Sequence, residues 1–174
     1  MKKLDSKQFD HILKTTHMKP RFKRDLKFMA SVEDVDWVGR ELLPIWNKSQ
    51  NGGLLLLQPD AHLYVVPFEL SAVQKSVSGR IKPIVCDLCY TWRTSGAAGY
   101  VTFYPDATPN DSISFLCCHD LKCSDHARTK TDVGIQSRAQ LRENLDDDAR
   151  VERLRRKLLR LVETLRLEAI RDDL

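Results

Sequence analysis

The cysteines are the residues of this sequence whose type and spacing could support chemistry. Cys86 and Cys89 form a C-x2-C pair directly after an apolar run. Cys117, Cys118 and Cys123 follow, and Cys118 with Cys123 would form a C-x4-C pair that begins after 28 intervening residues. Two such pairs offer four thiolates, which suit tetrahedral Zn²⁺ and close its coordination shell. The spacing therefore predicts a structural zinc site.

Spacing alone leaves the second half of the ligand set open. Cys117 and Cys118 should alternate across a strand, so only one of them can face the ion. Cys118 is favoured because it lies at the turn into a predicted helix. His119 and His126 could replace a cysteine, although both are predicted to be ordinary surface histidines.

The remaining chemical uses of cysteine are disfavoured. A thioredoxin-like pair would open a helix within a βαβ pattern, which the sequence does not predict. Disulfides need an oxidising compartment, whereas the first ten residues, MKKLDSKQFD, lack the apolar segment of a secretory signal, so we expect a cytoplasmic protein. A deaminase zinc site needs H-x-E and P-C-x-x-C motifs, and the sequence has neither. Since no triad or paired carboxylates stand out, we expect no enzymatic activity.

The elements predicted around the cysteines have the layout of a treble-clef zinc finger. KPIVC (82–86) predicts a short strand that runs into the first pair. GYVTFYP (99–105) and SISFLCC (112–118) predict two antiparallel strands joined by a loop rich in turn residues. A helix is predicted to start near Ser124. Knuckle, hairpin and helix in this order would bring both cysteine pairs to one ion.

The tail of the chain gives the clearest helical pattern. Asp146 to Asp148 place negative charge where the macrodipole of a helix favours it. Apolar residues then recur every three or four positions, at Val151, Leu154, Leu158, Leu161 and Leu165. We expect this stripe to pack on the protein's own core. A helix that binds a partner or dimerises is the alternative.

Residues 1–80 are predicted to be mostly helical. An amphipathic helix is predicted over 5–17, a second one after Pro20, and a third helical segment over 32–46 that ends near Pro44. The apolar face of the first helix contains Phe9, Ile12 and Leu13.

One β-hairpin is predicted within this N-terminal region. GLLLLQ (53–58) and AHLYVVPFEL (61–70) would be its strands, and the segment 71–80 would be a helix or a linker. The fold class is therefore α+β, with a mostly helical part over 1–80 and a zinc domain with a long terminal helix over 81–174.

The net charge of +4 is mild and unevenly distributed. A basic cluster lies near the N-terminus, at Lys14, Lys19, Arg21, Lys23, Arg24 and Lys27. Such a cluster can contact phosphates or an acidic protein face, although a solvated surface is the simpler interpretation. No apolar run approaches the roughly 20 residues that span a membrane, so we expect no membrane association.

With these motifs in place, the sequence resembles the elongation factor G-binding protein family, whose FusB-type members carry a C-terminal treble-clef zinc finger. The resemblance rests on VCDLCYT (85–91), AGYVTFY (98–104) and SISFLCCHDLKCSDHARTK (112–130). Its core, C-x-D-L-x-C-S, spans 118–124, and the stretch 141–158 is similar to the family's closing helix. The resemblance is strongest over 80–165 and weak over 1–79.

The resemblance implies a metal and a role. It makes Cys86, Cys89, Cys118 and Cys123 the ligands of a structural Zn²⁺. Family members bind elongation factor G, the translocation GTPase, through the zinc domain. In the resistance members this binding promotes release of the factor from ribosomes stalled by fusidic acid. Elongation factor G is thus the implied partner, and the ribosome is reached through it.

The family's partner contacts are aromatic and basic residues in and around the finger. By chemistry the candidates here are Tyr90, Trp92, Arg93, Tyr100, Phe103, Phe115 and Lys122. Trp92 and Arg93 are favoured because they are predicted to lie in a loop. The alternative function is a zinc-finger protein that binds ribosomal RNA directly. The N-terminal basic cluster favours it, whereas the finger itself is slightly acidic, which RNA phosphates do not favour.

Overall fold

The described strands form one large and one small antiparallel sheet. The computed structural model describes residues 1–16, 18, 20–29, 36–72, 83–94, 96–105 and 112–170. Its strands are β1 (Leu42–Trp46), β2 (Gly52–Leu57), β3 (Tyr64–Ala72), β4 (Pro83–Val85), β5 (Trp92–Thr94), β6 (Ala98–Phe103) and β7 (Ile113–Cys118). The large sheet has the order β1-β2-β3-β6-β7, and β4 pairs with β5 alone.

Five helices are described with these strands. They are α1 (Ser6–Thr15), α2 (Pro20–Met29), α3 (Cys123–Ala127), α4 (Asp132–Gln140) and α5 (Asp147–Leu165). No helix within the described ranges is both long and apolar enough to cross a membrane.

The large sheet carries a hydrophobic core on each face. In β2, Leu55 and Leu57 face one core while Leu54 and Leu56 face the other, so all four leucines are buried. Side chains alternate across a strand, which explains why a continuous leucine run fits only a strand covered on both sides. The first core continues through β6 and β7 to α5, and the second is closed by α1 and α2.

The tail helix packs on the first core, as the sequence predicts. α5 begins at the N-cap Asp146, whose carboxylate accepts a hydrogen bond from the Ala149 amide at 2.7 Å. Its predicted apolar stripe is buried at Val151, Leu154, Leu158, Leu161 and Leu165. The alternative of a stripe left free for a partner or for a second copy is therefore wrong.

The predicted mostly helical N-terminal part is also wrong. α1 is present, with Asp5 as its cap and Phe9, Ile12 and Leu13 buried. Residues 42–72 contain strands and turns but no helix. Residues 42–46, the end of the helical segment predicted over 32–46, form strand β1. Pro44 lies inside β1 because β1 is an edge strand, where a residue without an amide hydrogen is tolerated.

The predicted hairpins are confirmed. β2 pairs antiparallel with β3, and β6 pairs antiparallel with β7. β3 also pairs with β6, so the large sheet takes strands from both sides of the domain boundary predicted at 80/81. The division into 1–80 and 81–174 stays a prediction. Most of the segment predicted as helix or linker over 71–80, and the turn-rich loop 106–111, lie outside the described residues.

Candidate metal centre

The first cysteine pair lies in the tight turn between β4 and β5. The Cys86 amide donates to the Thr91 carbonyl at 3.0 Å, and the Tyr90 amide donates to the Cys86 carbonyl at 2.9 Å. Tyr90 closes the turn with a φ of 61°. This backbone arrangement is a knuckle that directs both thiols of the pair to one side.

The second pair lies where β7 ends and α3 begins. The Leu121 amide donates to the Cys118 carbonyl at 3.1 Å, and Leu121 has a φ of 48°. Cys123 is the first residue of α3. The two knuckles are joined by Asp87, whose amide donates to the Leu116 carbonyl at 2.8 Å while its carboxylate accepts from the Leu116 amide at 2.7 Å.

The two pairs meet in one buried cluster. The Sγ atoms of Cys86, Cys89, Cys118 and Cys123 all lie within 4.8 Å of one another. Cys86 Sγ is 3.9 Å from Cys123 Sγ, and Cys89 Sγ is 3.7 Å from Cys118 Sγ. A tetrahedral zinc with Zn–S bonds of about 2.3 Å has sulfur–sulfur edges of about 3.8 Å. The four sulfurs therefore fit Zn²⁺, and all five cysteines are free of disulfides.

The four buried sulfurs are close enough to shift one another's pKa values. Burial raises the pKa of the Cys86 thiol, but hydrogen bonds from Cys117, Cys118 and the other neighbouring thiols outweigh it and hold that pKa well below its usual value. The hydrogen bond with Cys118 and then that with Cys86 raise the pKa of the Cys123 thiol well above its usual value. The opposite directions of these two shifts reflect how strongly the buried thiols interact with one another. A divalent ion would stabilise all four as thiolates.

A partly buried polar network supports the second knuckle. Asp120 Oδ1 is 3.1 Å from His126 Nε2, and Asp120 Oδ2 is 3.2 Å from Arg93 Nη2. Burial raises the pKa of Asp120, but the hydrogen bond to His126 and the charges of His126 and Arg93 lower it to about 2. His126 Nδ1 lies 2.7 Å from Thr131 Oγ1, at the N-cap of α4. The network therefore links the turn after Cys118 to the start of α4.

This network corrects the prediction for His126. The sequence predicts a surface histidine, but the side chain is 1% exposed and hydrogen-bonded through both ring nitrogens. His119 is exposed, as predicted. Cys118 belongs to the group of four cysteines and Cys117 does not. The Cys117 thiol is nevertheless close enough to Cys86 to hydrogen-bond with it.

The seven predicted partner contacts differ widely in exposure. Tyr100 and Tyr90 expose 49% and 38% of their surface, and Lys122 is also exposed. Trp92 and Phe115 are half-buried. The contact roles of these five residues stay predictions.

Phe103 and Arg93 are poor contact candidates because both are buried. Phe103 is fully enclosed and its ring centroid lies 5.9 Å from that of Phe115. Arg93 is 6% exposed, and its Nε donates to the Ala97 carbonyl at 3.0 Å. The predicted loop around Trp92 is wrong as well, since Trp92 and Arg93 lie in β5. The Trp92 amide donates to Ser137 Oγ of α4 at 2.7 Å.

Comparison with known proteins agrees with this geometry. The family model described as "FBP C-terminal treble-clef zinc-finger" matches residues 18–165. The chain belongs to the FBP C-terminal treble-clef zinc-finger family. No curated protein and no solved structure matches it.

Membership of the FBP family and the set of four sulfur donors both indicate zinc as the bound ion. Cys86, Cys89, Cys118 and Cys123 would hold the ion, which would supply a rigid cross-link between the two knuckles. The cysteines are each at most 1% exposed. With four sulfurs around it, the ion would have no open position for water or substrate.

Proposed function

We propose that this FBP-family protein binds elongation factor G, and that its metal builds the docking surface and takes no part in a reaction. The observation that carries the proposal is the closed, buried cluster of four cysteines in a member of this family. A closed cluster leaves recognition to the surface around it. The protein would act in the cytoplasm as a non-enzymatic partner of the translation machinery.

The outer face of β6 and β7 is the best candidate for the docking surface. Tyr100 points to the side opposite Val101, which is buried in the first core. Among the described residues, the second core draws on β1, β2 and β3 and takes nothing from β6 or β7. The helices that cover this face of the sheet thus stop short of Tyr100. An exposed tyrosine on a rigid sheet is a typical interface anchor.

The mechanism would be differential affinity. A protein shifts a bound factor between states only by binding one conformation better than another. By binding elongation factor G in the conformation that leaves the ribosome, this protein would promote its release. Protection against fusidic acid would follow where the drug stabilises the ribosome-bound conformation.

Isothermal titration calorimetry of the zinc-loaded protein with purified elongation factor G tests the proposal. We expect saturable one-to-one binding, and Tyr100→Ala should weaken it by at least about tenfold. Val38→Ala is the control, since Val38 is an exposed apolar residue outside the zinc finger. Absence of binding by the folded, zinc-loaded protein would overturn the proposal, and equal losses in both variants would overturn the assignment of the surface.

A further inference from the structure

One flank of α5 carries a row of cations beside the zinc finger. Arg156, Lys157 and Arg160 follow one another along this flank, and Arg153 precedes them by about one turn. Arg153 is paired with Glu143, whereas Arg156 and Arg160 form no ion pair within the part of the chain that the structure describes. Both arginines are exposed. The flank thus has guanidinium groups free to bind an anion.

An open groove lies between this flank, β7 and the first knuckle. It has a volume of about 300 Å³. Its apolar lining comes from Leu88, Phe115 and Leu161, and Lys157 and Arg160 form its basic rim. Asp87 also lines it, but one of its carboxylate oxygens is held by the Leu116 amide. The groove therefore combines an apolar floor containing an aromatic ring with two cations at its edge.

Tyr90 extends this surface along the same flank. Its ring centroid lies 4.6 Å from the Arg153 guanidinium carbon and 5.1 Å from Lys157 Nζ. The ring makes these two cation–π contacts, and the residue Tyr90 as a whole is still 38% exposed. The positive φ of Tyr90 also fixes the direction in which its side chain leaves the knuckle. It is an oriented aromatic platform next to the basic row.

We propose that this α5 groove binds a single-stranded segment of RNA. Lys157, Arg156 and Arg160 would contact the phosphates. One base would enter the groove against Phe115, and another would stack on Tyr90. This surface lies away from the outer face of Tyr100 on which the proposed binding of elongation factor G rests, although it uses Tyr90 and Phe115, which are also predicted contacts of that factor.

The chemistry favours RNA over an acidic protein segment. Single-stranded nucleic acid is bound where a basic track runs beside aromatic rings, because phosphates and bases alternate along it. The α5 groove shows that alternation, with cations at the rim and rings at the floor and at the knuckle. A duplex would leave the floor unused, since its bases are stacked away from the protein. The paired N–H groups of an arginine guanidinium also match the spacing of two phosphate oxygens.

Fluorescence anisotropy with a labelled, mixed-sequence single-stranded RNA tests this proposal on the full zinc-loaded chain. Three phosphate contacts predict that log K falls with log salt with a slope of about −2. The double variant Arg156→Glu/Arg160→Glu should weaken binding at least about tenfold. Lys3→Glu/Lys7→Glu on the N-terminal side makes the same change in net charge at exposed positions, and it should leave the affinity within about twofold.

The variant Tyr90→Asn separates the contribution of base stacking to the RNA affinity from the contribution of charge. Asparagine tolerates the left-handed backbone of Tyr90 better than most residues, so the knuckle should be preserved. Loss of one stacked base should weaken binding of the single strand by about tenfold. Zinc content and circular dichroism of each variant confirm that it is folded.

Several results would overturn the proposal. They are equal losses in both charge-reversal variants, equal affinity for duplex RNA with no effect of Tyr90→Asn, or polyglutamate displacing the RNA at comparable charge concentration. The last result would assign the groove to an acidic protein. Because elongation factor G is absent from the assay, failure here leaves the calorimetric test of factor binding unaffected, and the reverse also holds.

Discussion

Arg128 holds Glu41 in a two-point ion pair across 87 positions of the sequence. Its Nη1 donates to one carboxylate oxygen at 2.6 Å and its Nη2 to the other at 2.5 Å. Glu41 immediately precedes β1, and Arg128 follows α3 of the zinc finger. Ser124 Oγ adds to the junction by accepting from the Glu41 amide at 2.9 Å. The zinc finger is thereby fixed to the edge of the large sheet.

Arg128→Met should destabilise the protein. Glu41 is 3% exposed in its side chain, so removal of Arg128 leaves a buried carboxylate that keeps Arg155 and the Ser124 hydroxyl as partners. We expect the free energy of unfolding to fall by about 3 kcal/mol. Urea denaturation measures it. Arg155→Met is the matched control because Arg155 is 46% exposed, and it should cost under about 1 kcal/mol.

The same pair predicts a pH dependence. Burial raises the pKa of Glu41, but the hydrogen bond and charge of Arg128 outweigh it, so the pKa lies below its usual value of 4.5. The pair therefore stabilises the protein above that value, and the contribution is lost as the pH falls through the pKa of Glu41 in the folded state. In Arg128→Met burial prevails and that pKa rises, so the penalty of the variant should grow with pH.

The test compares the unfolding free energies of the wild type and Arg128→Met between about pH 4.5 and pH 7.5. Their difference should be largest at the upper end and shrink towards the lower end. Zinc content is measured at each pH, because acid protonates thiolates and releases the metal. A difference that stays constant across the range would show that the lost interaction is packing alone.

Two adjacent leucines of α5 test how the tail helix packs. Leu158 is fully buried in the first core, whereas its neighbour Leu159 is half-buried on the next face of the helix. Leu158→Ala should lower the free energy of unfolding by about 2–5 kcal/mol. Leu159→Ala should cost clearly less. Similar costs in both variants, measured by urea denaturation, would mean that the stripe has been assigned to the wrong face.

Local sequence signals were sufficient to predict the elements around the metal centre. Cysteine spacing, turn residues and strand alternation predict both knuckles and the β6–β7 hairpin, since each depends on residues close together in the sequence. Pro44 fits two different local structures in the N-terminal part. A proline ends a helix or occupies an edge strand, and only the pairing of β1 with β2, which is long-range information, decides between the two.

Buried charged and polar groups could not be predicted from the sequence. His126 and Arg150 have types and spacings typical of surface residues. In the structure His126 is enclosed with Asp120 and Thr131, and Arg150 is fully buried with its Nε 3.2 Å from a Glu143 carboxylate oxygen. The partners of His126 and Arg150 come from other elements, so the periodicity within one helix does not indicate them. A histidine six residues from an aspartate is too common a pattern to indicate such a network.

The choice between the two adjacent cysteines at the end of β7 is the sharpest test of the metal centre. Cys118 Sγ belongs to the group of four sulfurs, whereas Cys117 lies outside that group, although its thiol can hydrogen-bond with Cys86. The hydrogen bond with Cys86 and burial raise the pKa of the Cys117 thiol well above its usual value. The position of the sulfur, outside the group of four, is what separates Cys117 from the predicted ligands. Cys118→Ser should therefore lose the metal, and Cys117→Ala should keep it.

Zinc per chain, measured by mass spectrometry, and the thiolate charge-transfer absorbance of the cobalt-substituted protein report the outcome. Cys118→Ser should lose the charge-transfer band and the cooperative unfolding transition of the zinc finger, because metal binding supplies folding free energy in such sites. Cys117→Ala should retain one metal per chain and an unchanged band. The reverse pattern, with zinc kept in Cys118→Ser and lost in Cys117→Ala, would exchange the two cysteines in the ligand set and require a different register at the end of β7.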